Sequence, residues 1–167
     1  MPNSNINACR SGAPDISAHP DVIAVSSVDQ SGKKIERSGY GTCLQFLGPT
    51  SPTADGGLTT TDRTGIKGFN KGDNDLDLED LDYTSRFYGT SAATPAVAGV
   101  FGLVYSQDSS LSSEQALEQI KKSTTKLQTN ESNGLRENDD PIEYGENGHH
   151  IDYGFGIPDA NKALLRY

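Results

Sequence analysis

The sequence predicts an α/β fold: part of a parallel β-sheet with one buried helix packed against it. Three observations carry this. Val22-Ile23-Ala24-Val25-Ser26-Ser27-Val28 is a short, β-branched, mostly apolar run, the pattern of a strand covered on both faces. Ser91–Ser106 is apolar around its whole circumference, which marks a helix enclosed in a core rather than an amphipathic one. The apolar residues are also concentrated. Leu, Ile, Val and Phe total only 33 of 167 residues, near the lower edge for a globular chain, and Val22–Val28 and Ala92–Tyr105 hold much of the aliphatic content.

The other elements follow from local chemistry. Residues 1–19 read as a polar loop and Asp29-Gln30-Ser31-Gly32 as a turn. Leu44–Leu47 is a second strand, stopped by Gly48-Pro49, and Leu58–Thr61 a weaker third. Residues 62–88 are polar and Gly-rich. Within them Asp73, Asp75, Asp77, Glu79, Asp80 and Asp82 follow one another with no base between, so the segment reads as a solvated surface insertion. Pro95 falls in the first turn of the buried helix, where a missing N–H costs nothing. Ser112 caps a second helix, with Gln115 at the reciprocal capping-box position, and Ala116, Leu117 and Ile120 form its apolar face. Residues 124–150 return to loop. Pro158–Leu165 is a short closing helix.

Composition excludes several classes. The length suits one domain or part of a larger one. A formal charge of −9 opposes nucleic-acid binding, since phosphate would be repelled over most of the surface. No apolar run approaches the ~18–20 residues that span a bilayer. Residues 1–20 lack a basic start and apolar middle, so no export signal is expected within this chain.

Gly89-Thr90-Ser91-Ala92-Ala93-Thr94-Pro95 is the stretch that carries chemistry. A serine at the start of a buried helix sits among unpaired N–H groups and a partial positive charge. Both stabilise the oxyanion formed when a serine oxygen attacks a carbonyl. Gly89 lets an extended substrate approach the backbone. On local physics alone, an N-capping serine before a core helix is the commoner use of these residues.

Gly89–Gly99, GTSAATPAVAG, resembles the nucleophile motif of the subtilisin-like serine proteases, the subtilases. Other landmarks fall in that family's order. His19–Val25 resembles its strand after the oxyanion loop. Ser38-Gly39-Tyr40-Gly41 and Phe46-Leu47-Gly48-Pro49 resemble its S-x-x-G … A-P-G stretch, with Thr50 replacing the last Gly. Tyr153–Ala160 resembles its closing turn and helix. The resemblance implies that residues 1–167 are the C-terminal portion of a subtilisin-like parallel-sheet sandwich, with an acidic surface insertion at about 62–88. It implies serine endopeptidase chemistry on a polypeptide substrate, through an acyl-enzyme on Ser91. Asn3, 17 residues before Pro20, stands about where the family places its oxyanion-hole amide, with Asn5 and Asn7 as neighbouring competitors and a disordered terminal residue as the structural alternative. Met1-Pro2 replaces the family's small-Gly pair, which suggests a chain beginning inside a longer gene. Subtilase triads run Asp, His, Ser. The Asp and His are therefore expected ahead of residue 1, on an upstream segment or a partner chain, and this chain alone is expected to hydrolyse little.

The remaining candidates are weaker. Cys9 and Cys43 are the only cysteines, too few for zinc without suitably spaced histidines. Kexin-like subtilases have cysteines in similar places, which implies a disulfide and a secreted or extracellular chain; two unrelated thiols remain open if the protein is cytosolic. Thr59-Thr60-Thr61-Asp62 extends that likeness. Gly12 and Gly41 stand near acidic positions of the convertases, so specificity for paired basic residues is not implied. The chemistry requires no cofactor. Calcium is considered as a structural ion at Asp73, Asp75 and Asp77, although an EF-hand loop from Asp73 would meet Leu78 and Thr84 where it needs Gly and Glu. His19 occupies a position that is structural in the family. His149 and His150, near Asp152, read as a solvated loop rather than a substitute base or metal site.

Two further readings stay open: a truncated or degenerate subtilase acting as a non-catalytic binding protein, and an acidic calcium-dependent interaction module. Without the first strands of the fold, sheet edges and core surface would be open. Low stability or self-association of the isolated chain is therefore expected, checked by following thermal unfolding across a concentration series. A sharp, concentration-independent transition would contradict it.

Overall fold

The computed structural model describes residues 1–10, 16–127 and 142–165. The β-branched run forms a strand, Ala24–Val28 (β1), with all five residues buried. Ile23 lies outside it and is 38% exposed. Leu44–Pro49 (β2) pairs with β1 in parallel, Val25 opposite Phe46 and Val28 opposite Pro49. The strand thus runs through Gly48-Pro49 instead of stopping before them. Gly48 is needed there for space, because a Cβ would come within 2.4 Å of the Ala93 carbonyl oxygen in the helix above. Pro49 closes the strand, where a missing donor is tolerated.

Thr90–Gln107 (α1) lies against β1 and β2. Its packing corrects one expectation. Ala92, Ala93, Val97 and Val104 are buried, but Ala96, Ala98, Gly99 and Leu103 are exposed. The apolar circumference is enclosed on only part of its perimeter, because the described elements that touch α1 are the two strands and the helices that follow. Those helices are Ser113–Lys122 (α2) and Ala160–Leu164 (α3). Ser112 accepts from the Gln115 N–H and the Gln115 side chain accepts from the Ser112 N–H, so the capping box forms as predicted. The closing helix starts later than expected: Asp159 caps it, accepting the Lys162 N–H at 3.0 Å. Ile157–Pro158 is instead a short strand (β6) antiparallel to Thr124–Thr125 (β5).

The main core joins these layers. Val25 and Phe46 from the sheet meet Ala93, Val97 and Val104 of α1 and Ile120 of α2. Phe46 is fully buried and packs edge-on against Phe101, with ring centroids 6.1 Å apart. Each such side chain contributes about 1.5–3 kcal/mol by leaving water. Cys9 and Cys43 form a disulfide that ties the first segment to the turn before β2. Closing a loop of 34 residues constrains the unfolded chain by about 3–4 kcal/mol on the loop-entropy model.

Leu58–Thr61 (β3) and Tyr83–Phe87 (β4) form an antiparallel pair. The segment between them is folded around two polar side chains. Asn70 is 0% exposed. Its Nδ2 lies 2.9, 3.0 and 2.8 Å from the carbonyls of Leu78, Asp80 and Tyr83, and its Oδ1 accepts the Gly72 N–H. The Asp62 carboxylate accepts the N–H groups of Arg63, Phe69 and Asn70. Those bonds, the Asn70 N–H foremost, hold its carboxyl below the usual value against the opposing effect of burial. Asp77 is likewise turned inward, its side chain 3% exposed and paired with Arg86. Burial pushes its pKa up, and the Asp73 N–H, the Arg86 charge and the Lys71 and Asn74 N–H groups outweigh this and lower it.

At the other end, His150 packs on Tyr144 and Tyr153, and its Nδ1 accepts the Asp152 N–H at 3.0 Å. Burial lowers its pKa; the Asp152 charge opposes that, and His149 and Lys34 add to it.

Replacing Asn70 with Ala should cost about 2–4 kcal/mol, since buried carbonyls lose their donor. Asn70→Asp, nearly isosteric but without amide donors, should cost about as much. Thermal denaturation and the rate of proteolytic nicking within 62–82 read both. Acid should destabilise the chain in two stages. A group with a lowered native pKa adds stability that is complete above its unfolded pKa and lost as pH falls through the folded one. The His150 stage should begin as pH drops below 6.5 and be missing in His150→Asn. The Asp62 and Asp77 stage should begin below about 3.8. Melting temperature against pH checks both.

Candidate active site

The site is built at the first turn of α1. Gly89 precedes it with φ +75°, a conformation that side-chain-bearing residues rarely adopt. A Cβ there would also stand 2.8 Å from Asn3 Oδ1. Glycine therefore lets the Asn3 side chain lie against the helix start. The Thr90 N–H donates to Asn3 Oδ1 at 2.8 Å. The Thr90 hydroxyl lies 2.9 Å from the same oxygen and 2.8 Å from the Met1 carbonyl oxygen. A backbone N–H can only donate, so the amide oxygen is the end that faces Thr90. Its two N–H donors lie on the opposite edge.

The first three residues are seated for this. The Met1 nitrogen donates to Val25 O at 3.1 Å, and the Gly39 N–H donates to Pro2 O at 3.0 Å. Gly39 is held in turn, since its carbonyl accepts Ser26 Oγ at 2.9 Å. The buried hydroxyls of Ser27 and Ser38 bond each other beside it. Asn3 is thus placed by β1 and its neighbouring turn, not left as a loose terminal residue.

Ser91 follows Thr90 and is exposed. Its N–H lies in the first turn, among the donors an α-helix cannot satisfy internally, at the positive end of the helix dipole. Ser91, Gly89 and Asn3 line one cleft of about 570 Å³, together with Arg37, Arg86 and Phe69. Asn5 and Asn7 do not line it. Asn7 Oδ1 accepts the Cys9 N–H at 3.0 Å instead. The Ser91 side chain and the Asn3 amide thus border the same open cleft.

Among the described residues, no histidine lines the cleft. His19 is bound locally, accepting the Asp21 N–H at 3.2 Å. His149 Nε2 is 2.7 Å from Leu44 O, its ring against Phe155. His150 is half-enclosed by the two tyrosines, so this pair is packed rather than a solvated loop. Gly12 falls outside the described residues.

The acidic run does not fit a metal cage. Asp77 spends Oδ1 on Arg86 and Oδ2 on the Lys71 and Asp73 N–H groups. No cluster of three or more candidate ligands exists among the described residues. Sequence reasoning missed Thr90 as the residue that fixes Asn3, and missed Arg37, Arg86 and Phe69 as cleft residues. Arg86 had one available signal: it is the lone base between the acidic run and the helix.

Among the described residues, no helix is long and apolar enough to cross a membrane. Residues 4–156 match the model of the subtilase family. The chain is 31% identical over 152 residues to a calcium-dependent protease of Trichormus variabilis, covering 88% of this chain and 21% of that one. It therefore spans about a fifth of the length of that relative. The serine protease of Aeromonas sobria superposes on 84% of this chain and 28% of its own, with TM-score 0.66 and 27% identity. A lanthipeptide protease shares the fold at TM-score 0.71 and 24% identity, over 98% of this chain and 48% of its own. With a parallel sheet, a serine at the head of the helix packed on it, and a family match over nearly its whole length, the chain belongs to the subtilase family.

Proposed function

We propose that this chain supplies the nucleophile and oxyanion donors of a serine endopeptidase, with the Asp and His of the triad provided by an upstream segment or a partner chain. One observation carries the reading. Ser91 is exposed at the first turn of α1, in the same cleft as an Asn3 side chain whose oxygen is fixed by Thr90. Family membership supports it, and so do relatives named as proteases.

The chemistry then runs as follows. The Ser91 hydroxyl attacks the scissile carbonyl and gives its proton to the external histidine. The carbonyl oxygen becomes an oxyanion, accepting from the Ser91 N–H and from Asn3 Nδ2. The histidine returns the proton to the leaving amine, the peptide bond breaks, and an acyl group remains on Ser91. Water, deprotonated by the same base, releases it. Without that base the Ser91 hydroxyl is a poor nucleophile near neutral pH, so the isolated chain is inactive or nearly so. No step is routed through calcium.

A second reading, a non-catalytic binding protein, is favoured by the absence of histidine from the cleft among the described residues. The disulfide favours an oxidising compartment for either reading. On this proposal residues 1–167 are the C-terminal portion of the catalytic domain, and 62–88 is an insertion at the edge of its cleft.

A fluorophosphonate probe separates the two. An extended protein with Asp and His motifs upstream should label at Ser91 and lose the label in Ser91→Ala. In that protein Asn3→Ala should lower turnover by about 10²–10³, the loss known for removing such a donor from a subtilisin, with KM little changed. Absence of labelling in a folded extended protein would leave the binding reading.

A further inference from the structure

We infer that the cleft beside Ser91 is built for an acidic polypeptide segment, which its basic side chains bind next to the bond presented to the serine. The inference rests on the protease reading and names its substrate class.

The chain carries a formal charge of −9, yet the cleft is locally basic. Arg37 and Arg86 line it. A second cavity of about 530 Å³ shares Arg86 and Phe69 with it and adds Arg63, Lys67 and Lys71. The two cavities therefore adjoin at Phe69 and Arg86, and their combined lining runs from Ser91 to Lys71. The acids in that lining are Asp62 and Asp73. Asp62 is spent on three backbone N–H groups. Of the rest of the acidic run, Asp77 is turned into its pair with Arg86, and Asp75, Glu79, Asp80 and Asp82 line neither cavity. Five bases, Arg37, Arg63, Lys67, Lys71 and Arg86, thus line the two cavities against the two carboxylates of Asp62 and Asp73.

Two details favour an extended peptide. The Arg86 side chain is 21% exposed and lines both cavities, so its guanidinium borders the space a peptide carboxylate would enter. Phe69 and Ile66 are 73% and 69% exposed on the walls, and offer apolar contact for the stems of bound side chains.

The test uses the extended protein, with Asp and His motifs upstream, carrying Ser91→Ala. Fluorescence anisotropy compares a dye-labelled peptide rich in Asp and Glu with a twin in which each acid is its amide. The acidic peptide should bind at least tenfold more tightly, with an advantage that shrinks as salt rises. Arg37→Gln, and Lys67→Gln with Lys71→Gln, should each weaken it about threefold to fivefold per charge removed while leaving the twin unaffected. Arg86→Gln would strand the Asp77 charge, so it is paired with Asp77→Asn; the exposed lysine variants remain decisive if that double variant unfolds. Equal binding of the twins, or no response to the charge variants, overturns the inference. So does displacement by an oligonucleotide of equal charge, which would mean undiscriminating attraction to anions. Labelling of Ser91 in the extended protein is independent of all these outcomes. A protein that labels but does not distinguish the twins keeps the protease reading and loses this one.

Discussion

One hydrogen bond, from the Thr90 N–H to the Asn3 amide oxygen, joins residues 87 apart in the chain and sets the polarity of the site. Turned the other way, the amide would offer an oxygen to a developing oxyanion and repel it. Held this way, it offers donors. The bond depends on Gly89, whose missing side chain leaves room for Asn3, and on α1 starting where it does. The start of α1 depends in turn on Gly48, which admits the helix's first turn onto β2. Two glycines thus position one amide.

Charge is partitioned by the same logic of hydrogen bonding. A chain so acidic would repel an acidic ligand unless its carboxylates were engaged or displaced. The loop from 62 to 82 folds around Asn70, which gathers three carbonyls, and keeps Asp75, Glu79, Asp80 and Asp82 off both cavities, while Asp62, held by three N–H groups, stays ionised in the lining. Packing Asp77 against Arg86 neutralises a carboxylate within the loop, while the Arg86 side chain still lines the cleft. Where the carboxylates are placed, more than how many the chain holds, decides which sign the cleft presents.

Most of the frame was legible because its signals are local. The β-branched run gave β1, the Ser112 and Gln115 spacing gave the cap of α2, and the apolar stretch after Ser91 gave α1. Ser91 was legible through its neighbours, and the Cys9–Cys43 pairing through likeness. What escaped depends on tertiary contacts. The sequence marks 62–88 as polar but cannot reveal that Asn70 is buried, because its partners are carbonyls that every residue possesses. It marks α1 as apolar all round but cannot show which side a neighbour covers. Arg37 and Arg86 come together only once β4 and the turn before Ser38 are placed.

On the proposed function, the open side of α1 and the serine without a base are read together. Oxyanion stabilisation needs fixed donors, and here these come from groups tied to β1 and α1 by bonds within the chain. Nucleophile activation needs a base that approaches Ser91, and no histidine in the described cleft does so. Among the exposed residues of α1, Ala96, Ala98, Gly99 and Leu103 are small or apolar. Such a face costs solvation while it stays open, and it admits a neighbouring backbone at close range. On the proposed function, the oxyanion donors are the half of the apparatus that this chain preorganises, and the proton-transfer half comes from the upstream segment or partner chain. Oxyanion donors and binding alone retain about 10³–10⁴ of acceleration over water when a triad member is absent, so on the proposed function the donors fixed in this chain contribute to the rate independently of the base.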